Sequence, residues 1–419
     1  MDILQDLINR GLLHQVTDHE GLNKKLNEGP LTLYAGFDPT ADSLHIGSLV
    51  PILCLVRFQQ AGHIPVALVG GGTGLIGDPS GKASERTLNT AEVVDQWTEK
   101  LRLQLSRFLN FDAIPNPAQM ANNYDWFKQL NVIEFLRDIG KHFPLNYMLA
   151  KDSVDSRLSK GISFTEFSYM ILQAYDFLKL NQDHNCTLQI GGSDQWGNIT
   201  AGMELIGRTT GNSVFGLTFP LVTKSDGTKF GKTESGTIWL DATKTSPYQF
   251  YQFWLNVDDQ DVIRFLKYFT FLSIEKIQEL ESELTANPEL RSAQRALARE
   301  VTALVHGDQA VVSSENISQI LFNGHIEQLS ADEIEQAFQD VPSVELTDSS
   351  AIGLVDLLLA AQASPSKRQA RQDIESGAIY LNGVRVTEVD KLLILEDRLS
   401  GKYIVIRRGK KNYYLVKFG

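Results

Sequence analysis

Cysteine is nearly absent from this 419-residue chain: Cys54 and Cys186 are the only two. At most one bridge could form, which excludes a disulfide framework and a multi-cysteine zinc knuckle. Long apolar runs are missing as well. The longest, such as LVPILCLV at 49–56, fall far short of the roughly 20 residues that span a bilayer. The opening MDILQDLINRGLL places two aspartates before its first arginine and has no long apolar segment with a cleavage-like site. It predicts no export signal and a cytosolic (cytoplasmic) address. The eight histidines show no H-E-x-x-H or other ligand spacing, so nothing in the pattern points to a metal centre.

Positive charge is missing from one long stretch. Between Glu300 and Ser366 there is no lysine or arginine at all, while aspartate and glutamate recur. From Ala351 onward the balance reverses, with 12 Lys and Arg against 7 Asp and Glu, whereas the first 350 residues carry 27 against 44. A basic terminal module on an acidic body points to a polyanionic partner met by the tail.

A hydrophobic content of 42% beside 21% charged residues supports a large core, and the length implies two or three domains. LTLYAG (31–36), IPVALVG (64–70) and CTLQIGG (186–192) read as buried strands ending in glycine, and LVPILCLVRFQQ (49–60) as a helix ended near Gly62. Strands separated by helices predict an α/β fold with a Rossmann-like parallel sheet, whose ligand loops follow the carboxyl ends of the strands. This domain is placed at 1–245. A helical subdomain is expected at 246–335, from SPYQFYQFWLN through DQDVIRFLKYFTFL and IEKIQELESEL. A linker follows at 336–350, where Pro and Ser cluster without a period. The last unit, 351–419, reads as a small α+β domain in which Gly377 stops a helix and Asn382-Gly383 turns a type I′ hairpin.

GGGTGLIGDPSGK (70–82) follows a strand, and Gly72 to Gly77 satisfies G-x-G-x-x-G, the fingerprint of a dinucleotide site. Two details oppose that reading. The helix expected at the third glycine is interrupted by Asp78-Pro79-Ser80-Gly81, where an anionic Asp78 would repel a pyrophosphate. The acidic residue expected about 20 positions on would be Glu92 or Asp95, and both fall within TAEVVDQWTEKLRLQLSRF, a helical pattern. A Walker loop fails too, because Ala83 follows Lys82 where Ser or Thr should bind magnesium.

SFTEFSYMILQAYDFLKL (163–180) opens with a capping box, Ser163 and Glu166, and carries a core stripe of Phe167, Met170, Ile171, Ala174, Phe177 and Leu178. Tyr169, Gln173 and Asp176 share the opposite face. Water is the usual neighbour of such a face, yet a tyrosine, an amide and one carboxylate without lysine or glutamate also suit a small ligand with donors. KSDGTKFGKTESG (224–236) sets Lys224, Lys229 and Lys232 on a glycine-rich segment after the strand LTFPLV. It reads either as a solvated hairpin tip or as a loop that closes on a transient polyphosphate. His45, in LHIGS, stands at the start of a helix whose unpaired N–H groups favour phosphate, with Pro51 in the first turn. Gly36 and Gly47 let a nucleotide approach the backbone, and an imidazole there can donate to a charge-developing phosphoryl oxygen. A lone histidine is more often structural.

HIGS and KFGKT together resemble the paired HIGH and KMSKS signatures of class I aminoacyl-tRNA synthetases. YAGFDPTADSLHIG, GDPSGK, SFTEFSYMILQAYD, GGSDQWGN and DGTKFGKT, in this order and over essentially the whole chain, resemble the bacterial tyrosyl branch. The C-terminal unit is similar to a small RNA-binding domain shared with a ribosomal protein. The resemblance implies activation of L-tyrosine with ATP, transfer to the 3′ end of tRNA(Tyr), and a homodimer. It implies that Tyr34 and Asp176 bond the phenolic hydroxyl, while Asp78, Tyr169 and Gln173 hold the ammonium group. Gly36, Asp38, His45, Gly192, Asp194, Gln195 and Lys232 would then embrace ATP and the activated amino acid. Thr40, His45, Lys82, Arg86, Lys229, Lys232 and Thr233 would gather round the phosphates. ATP is expected as a substrate accompanied by magnesium, with no metal held by protein ligands.

The chemistry agrees with the absence of a nucleophilic triad. The substrate's own carboxylate can attack the α-phosphate, so catalysis becomes positioning and stabilisation of spreading negative charge. Two departures stand out: Ser48 replaces the second HIGH histidine, and Phe230-Gly231 fills the middle of KMSKS. Ser48 can donate one hydrogen bond or cap the helix but cannot become cationic. An NAD-dependent oxidoreductase built on GTGLIG and a non-catalytic RNA-binding protein are the competing readings.

Overall fold

The glycine-terminated apolar runs lie at the centre of a six-stranded sheet: β1 (Gln15–Val16), β2 (Thr32–Phe37), β3 (Ile64–Val69), β4 (Gln119–Asn122), β5 (Cys186–Gly192) and β6 (Phe215–Phe219). The structure is a computed structural model that describes residues 2–80, 88–151, 154–155, 158, 161–225, 230–233, 236–347, 351–409 and 412–419. The strand order is β1-β6-β5-β2-β3-β4. All neighbours are parallel except β1, which runs antiparallel to β6. From Thr32 to Ala35 every residue of β2 is buried, as expected for a parallel strand covered on both faces. The strand read at LTFPLV begins earlier, at Phe215, and ends before Pro220, which has no N–H with which to continue a ladder.

The helix Leu49–Gln60 has the predicted bounds. The helical pattern read over 90–108 forms a helix at Ala91–Leu105, capped by Thr90, which puts Glu92 and Asp95 on a helix and not at a strand end. Ser163 accepts the N–H of Glu166 at 3.2 Å and starts the long helix Phe164–His184. Its stripe of Met170, Ala174, Phe177 and Leu178 is buried with Val66 and Leu68 of β3, and Phe167 and Ile171 pack at the margin.

Two compact units divide the chain: Met1–Asp241 with Val257–Leu297, and Ala242–Asn256 with Ala298–Gly419. The helical subdomain expected at 246–335 is therefore split. Helices Asp259–Phe269 and Ile274–Ala286 are present but belong to the first unit. The physical reason lies in two buried arginines. Arg10 donates to the carbonyl of Leu272 at 2.9 Å and Arg57 to that of Thr270, so the carbonyl-rich end of Asp259–Phe269 is held by the N-terminal part of the chain. Asp6 pairs with both, at 2.9 and 3.4 Å.

In the second unit a five-stranded sheet has its faces buried in alternation. Ile404, Ile406 and Val416 meet Leu354, Leu357, Leu358 and Ile374, while Tyr403, Val405 and Leu415 meet Ile317, Ile334 and Phe338. The C-terminal domain expected to begin at 351 thus shares its core with residues assigned to the helical subdomain. The linker expected at 336–350 is also corrected: Ser343–Leu346 forms a strand parallel to Asn412–Phe418, with Val344 and Leu346 packed on the core. Asn382 and Gly383 have φ of 48° and 87°, as the predicted type I′ turn requires.

Candidate active site

The carboxyl ends of β2, β3 and β5 open into a cleft of about 280 Å³, all within the first unit. Of the residues singled out in the sequence, Tyr34, Gly36, Asp38, Thr40, His45, Asp78, Tyr169, Gln173, Asp176, Gly192 and Gln195 line it. Asp194 does not; it lies on the turn Ser193–Gln195, its carboxylate folded towards Gly192. Lys82, Arg86 and Lys229 lie outside the described residues, and Lys232 and Thr233 are described by their backbone only.

At the base, Tyr34 and Asp176 are both buried. The Tyr34 ring packs on Phe177 with centroids 5.3 Å apart, and its hydroxyl has no partner among the described residues. Burial, and secondarily the charge of Asp176, hold that hydroxyl well above its ordinary pKa, so it remains protonated. Asp176 accepts from Asn123 Nδ2 at 3.0 Å and Trp126 Nε1 at 2.9 Å. Burial pushes its carboxyl well above the usual range, although those two bonds pull the other way. The polar face of Phe164–His184 therefore meets a cleft and not bulk water.

A second cluster closes the middle of the cleft. Tyr169 donates to Asp38 Oδ2 at 2.7 Å, and Thr73 donates to Asp38 Oδ1 at 2.6 Å. Burial, then the neighbouring Asp38, keep Tyr169 protonated. Because its proton is committed to Asp38, its oxygen presents lone pairs. Gln195 Nε2 donates to Asp78 Oδ2 at 2.7 Å. Three carboxylates and no lysine or arginine line the cleft among the described residues, a potential that favours a cationic group.

At the mouth, His45 caps the turn Ile46–Ser48 by accepting the Gly47 N–H on Nδ1 at 3.0 Å. The neutral ring therefore carries its proton on Nε2. Gly47 lines the cleft, and a Cβ there would come within 2.7 Å of the His45 ring, so the glycine also makes room for the imidazole. Ser48 lines the cleft but makes no side-chain cap bond. The two signature turns are neighbours. Ile238 donates its N–H to Gly231 O at 3.1 Å and accepts the N–H of Ile46 at 3.1 Å, while His45 bridges Trp239. Phe230 stacks on Phe269 at 5.3 Å and meets Phe265 edge-on at 5.0 Å, fixing the turn to the helix Asp259–Phe269.

The sequence reading missed Thr73, Asn123 and Gln189, which also line the cleft, and Trp126 behind Asp176. Asn123 accepts the N–H of Gly72 at 2.7 Å and donates to Thr73 and Asp176. The GTGLIG turn is thereby used by the protein itself, and no helix opens at Gly77, contrary to a dinucleotide fingerprint. Among the described residues no three His, Cys, Asp or Glu side chains gather to hold a metal ion, and no helix is long and apolar enough to cross a membrane.

Comparison with known proteins agrees with this geometry. A family model described as tRNA synthetases class I (W and Y) matches residues 26–323, and one described as the tyrosine–tRNA ligase SYY-like C-terminal domain matches 333–416. The chain is 64% identical over 419 residues to the tyrosine–tRNA ligase of Geobacillus stearothermophilus, covering 100% of both. It is 62% identical to tyrosine–tRNA ligase 1 of Bacillus subtilis (strain 168), covering 100% of this chain and 99% of that protein. Among solved structures, a C-terminally truncated mitochondrial tyrosyl-tRNA synthetase of Aspergillus nidulans superposes with a TM-score of 0.70 and 31% identity, over 77% of this chain and 94% of that one. With an acidic cleft at the strand ends and the HIGS turn among its lining, the chain belongs to the tyrosine–tRNA ligase family of class I aminoacyl-tRNA synthetases.

Proposed function

We propose that the cleft activates L-tyrosine with ATP and that the protein then transfers the tyrosyl group to the 3′ end of tRNA(Tyr). The observation that carries this reading is the position of Ile238, whose backbone is bonded to both the His45 turn and Gly231 of KFGKT. Two segments almost 200 residues apart in sequence are thus joined through one residue.

In the proposed arrangement the substrate phenol lies between the hydroxyl of Tyr34 and the carboxylate of Asp176. Its ammonium group meets Asp78, the oxygen of Tyr169 and Gln173. A carboxylate oxygen attacks the α-phosphorus of ATP, the bond to the bridging oxygen breaks, and pyrophosphate leaves. His45 would donate from Nε2 to a phosphoryl oxygen, with Thr40 beside it. Gly36, Asp38, Gly192, Asp194 and Gln195 would hold the nucleotide and the adenylate. Lys82, Arg86, Lys229 and Lys232 would supply the positive charge that the acidic cleft lacks, and Thr233 would add a neutral hydroxyl donor. ATP would arrive with magnesium as its counter-ion. A ribose hydroxyl of the tRNA then attacks the activated carbonyl and AMP leaves.

The basic C-terminal unit is the proposed contact with tRNA. We place the protein in the cytoplasm and propose a homodimer. Val132, Ile133, Leu136, Leu145 and Phe164, all exposed by more than half, fall between residues 132 and 164, a concentration that suits a second copy. Tyrosine-dependent exchange of pyrophosphate into ATP, followed by charging of tRNA(Tyr), tests the function. Absence of exchange with folded full-length protein would overturn it, and binding of NAD would favour the oxidoreductase.

A further inference from the structure

Asn198, the last residue of GGSDQWGN, is buried behind the cleft, not among its lining residues. Its Nδ2 lies 3.0 Å from Gln173 Oε1, 3.2 Å from Gln195 Oε1 and 3.4 Å from Ser80 Oγ. Gln195 Nε2 donates to Asp78 Oδ2 at 2.7 Å, and the N–H of Ser80 donates to Asp78 Oδ1 at 2.9 Å. The bonds close a ring through Asp78, Ser80, Asn198 and Gln195, with Gln173 as a branch.

A glutamine amide is nearly symmetric in shape but not in chemistry: the oxygen accepts and the nitrogen donates. Asn198 offers its donor nitrogen to both glutamines, so each turns its oxygen towards it. A flipped glutamine would set NH2 against NH2. With Gln195 so turned, its nitrogen faces Asp78. With Gln173 so turned, its carbonyl oxygen keeps a second lone pair for the cleft it lines.

We propose that Asn198 is a positioning residue for substrate binding, fixing the amide orientation of Gln173 and Gln195 so that the cleft presents acceptors to the α-ammonium group. This rests on the reading of the cleft as a tyrosine site. A cleft edged by a flipped Gln173 would offer two N–H donors to a group that carries only donors itself.

The test compares two ligands on the full-length protein: L-tyrosine, and 3-(4-hydroxyphenyl)propanoate, which keeps the ring and the carboxylate but has no ammonium group. Equilibrium dialysis gives both affinities for the wild type, Asn198→Ala and Asn198→Ser. Asn198→Ala is expected to weaken tyrosine binding about ten-fold while the propanoate stays within about two-fold. Asn198→Ser keeps a donor and recovers part of the loss. Equal loss of both ligands marks a structural role and overturns the proposal, as does unchanged tyrosine affinity. A wild type that binds the propanoate as tightly as tyrosine would instead overturn the ammonium site itself, and the proposal with it.

Discussion

Replacing Tyr34 with phenylalanine removes one oxygen atom and probes the base of the cleft in two independent ways. The side chain is 1% exposed, its ring is packed on Phe177, and its hydroxyl has no partner among the described residues. Tyr34→Phe therefore breaks no internal hydrogen bond and retains the packed ring. A lost internal bond would cost about 1 kcal/mol, or about 2 °C in melting temperature for a large domain, and the expected change is smaller than that. The substrate, by contrast, loses a partner for its own hydroxyl. One neutral hydrogen bond of about 1 kcal/mol lowers kcat/KM for tyrosine about five-fold. Phenylalanine has no hydroxyl and is unaffected, so selectivity falls by the same factor. Pyrophosphate exchange with each amino acid, together with calorimetry, reads both quantities. Undiminished selectivity would refute the placement of this hydroxyl against the substrate, and a melting temperature lowered by several degrees would refute the claim that it lacks a protein partner. Asp176→Ala supplies the contrast. It leaves one N–H of Asn123 and the Nε1–H of half-buried Trp126 without their acceptor, so stability as well as binding should fall, by about 1–3 kcal/mol in all.

Lys232→Met should slow adenylate formation by at least about ten-fold while tyrosine affinity is preserved, because the lysine is assigned to the phosphates; a normal single-turnover rate would remove it from that role. His63 is held below its ordinary pKa of 6.5 by burial, and its Nδ1 accepts the Leu31 N–H at 3.3 Å. A depressed base stabilises the fold fully above the unfolded value and loses that contribution as pH falls below it. The melting temperature of the wild type should therefore drop more steeply below about pH 6.5 than that of His63→Leu, and parallel profiles would contradict this. Phe164→Glu places a carboxylate at the first position of the helix Phe164–His184, where the dipole tolerates it. It should leave the subunit folded but shift sedimentation from dimer to monomer, and an unchanged dimer would move the proposed interface elsewhere.

Local periodicity was enough for the parts of the fold that bury one continuous apolar stretch. β2, β3 and β5 announce themselves as short runs ending in glycine, and Phe164–His184 separates its core stripe from its polar face at helical spacing. Ser343–Leu346 escaped because four residues of alternation are too few to stand out beside Pro342 and the serines that follow, although Val344 and Leu346 carry the signal. The placement of Asp259–Phe269 could not be read locally either. It is decided by Arg10 and Arg57 reaching carbonyls more than 200 positions away, and a helix's own sequence does not name the partner of its last carbonyls. Asn123 lies between β4 and a short helix in MANNYDW, where nothing periodic marks it, and its role appears only when Gly72, Thr73 and Asp176 converge on it.

The distribution of charge explains why the site divides as it does. Of the groups assigned to tyrosine, Tyr34 sits on β2 and Tyr169, Gln173 and Asp176 on one long helix, where Asn123 and Trp126 hold Asp176 and Asn198 holds Gln173, while Asp78 lies beyond β3 and is held by Gln195. The cations assigned to the phosphates belong instead to two other stretches of the sequence, 82–86 and 229–233. A lysine within the cleft would pair with Asp38, Asp78 or Asp176 and cancel the field that selects an ammonium group. Keeping the cations on separate segments lets the cleft stay acidic while the amino acid binds. Positive charge is then added only where the triphosphate lies. It follows that tyrosine affinity and adenylate formation are separable by mutation, with Lys232→Met on one side of the division and Asn198→Ala on the other. A Lys232 variant that lost tyrosine affinity as severely as rate would show that the two sets of groups act as one.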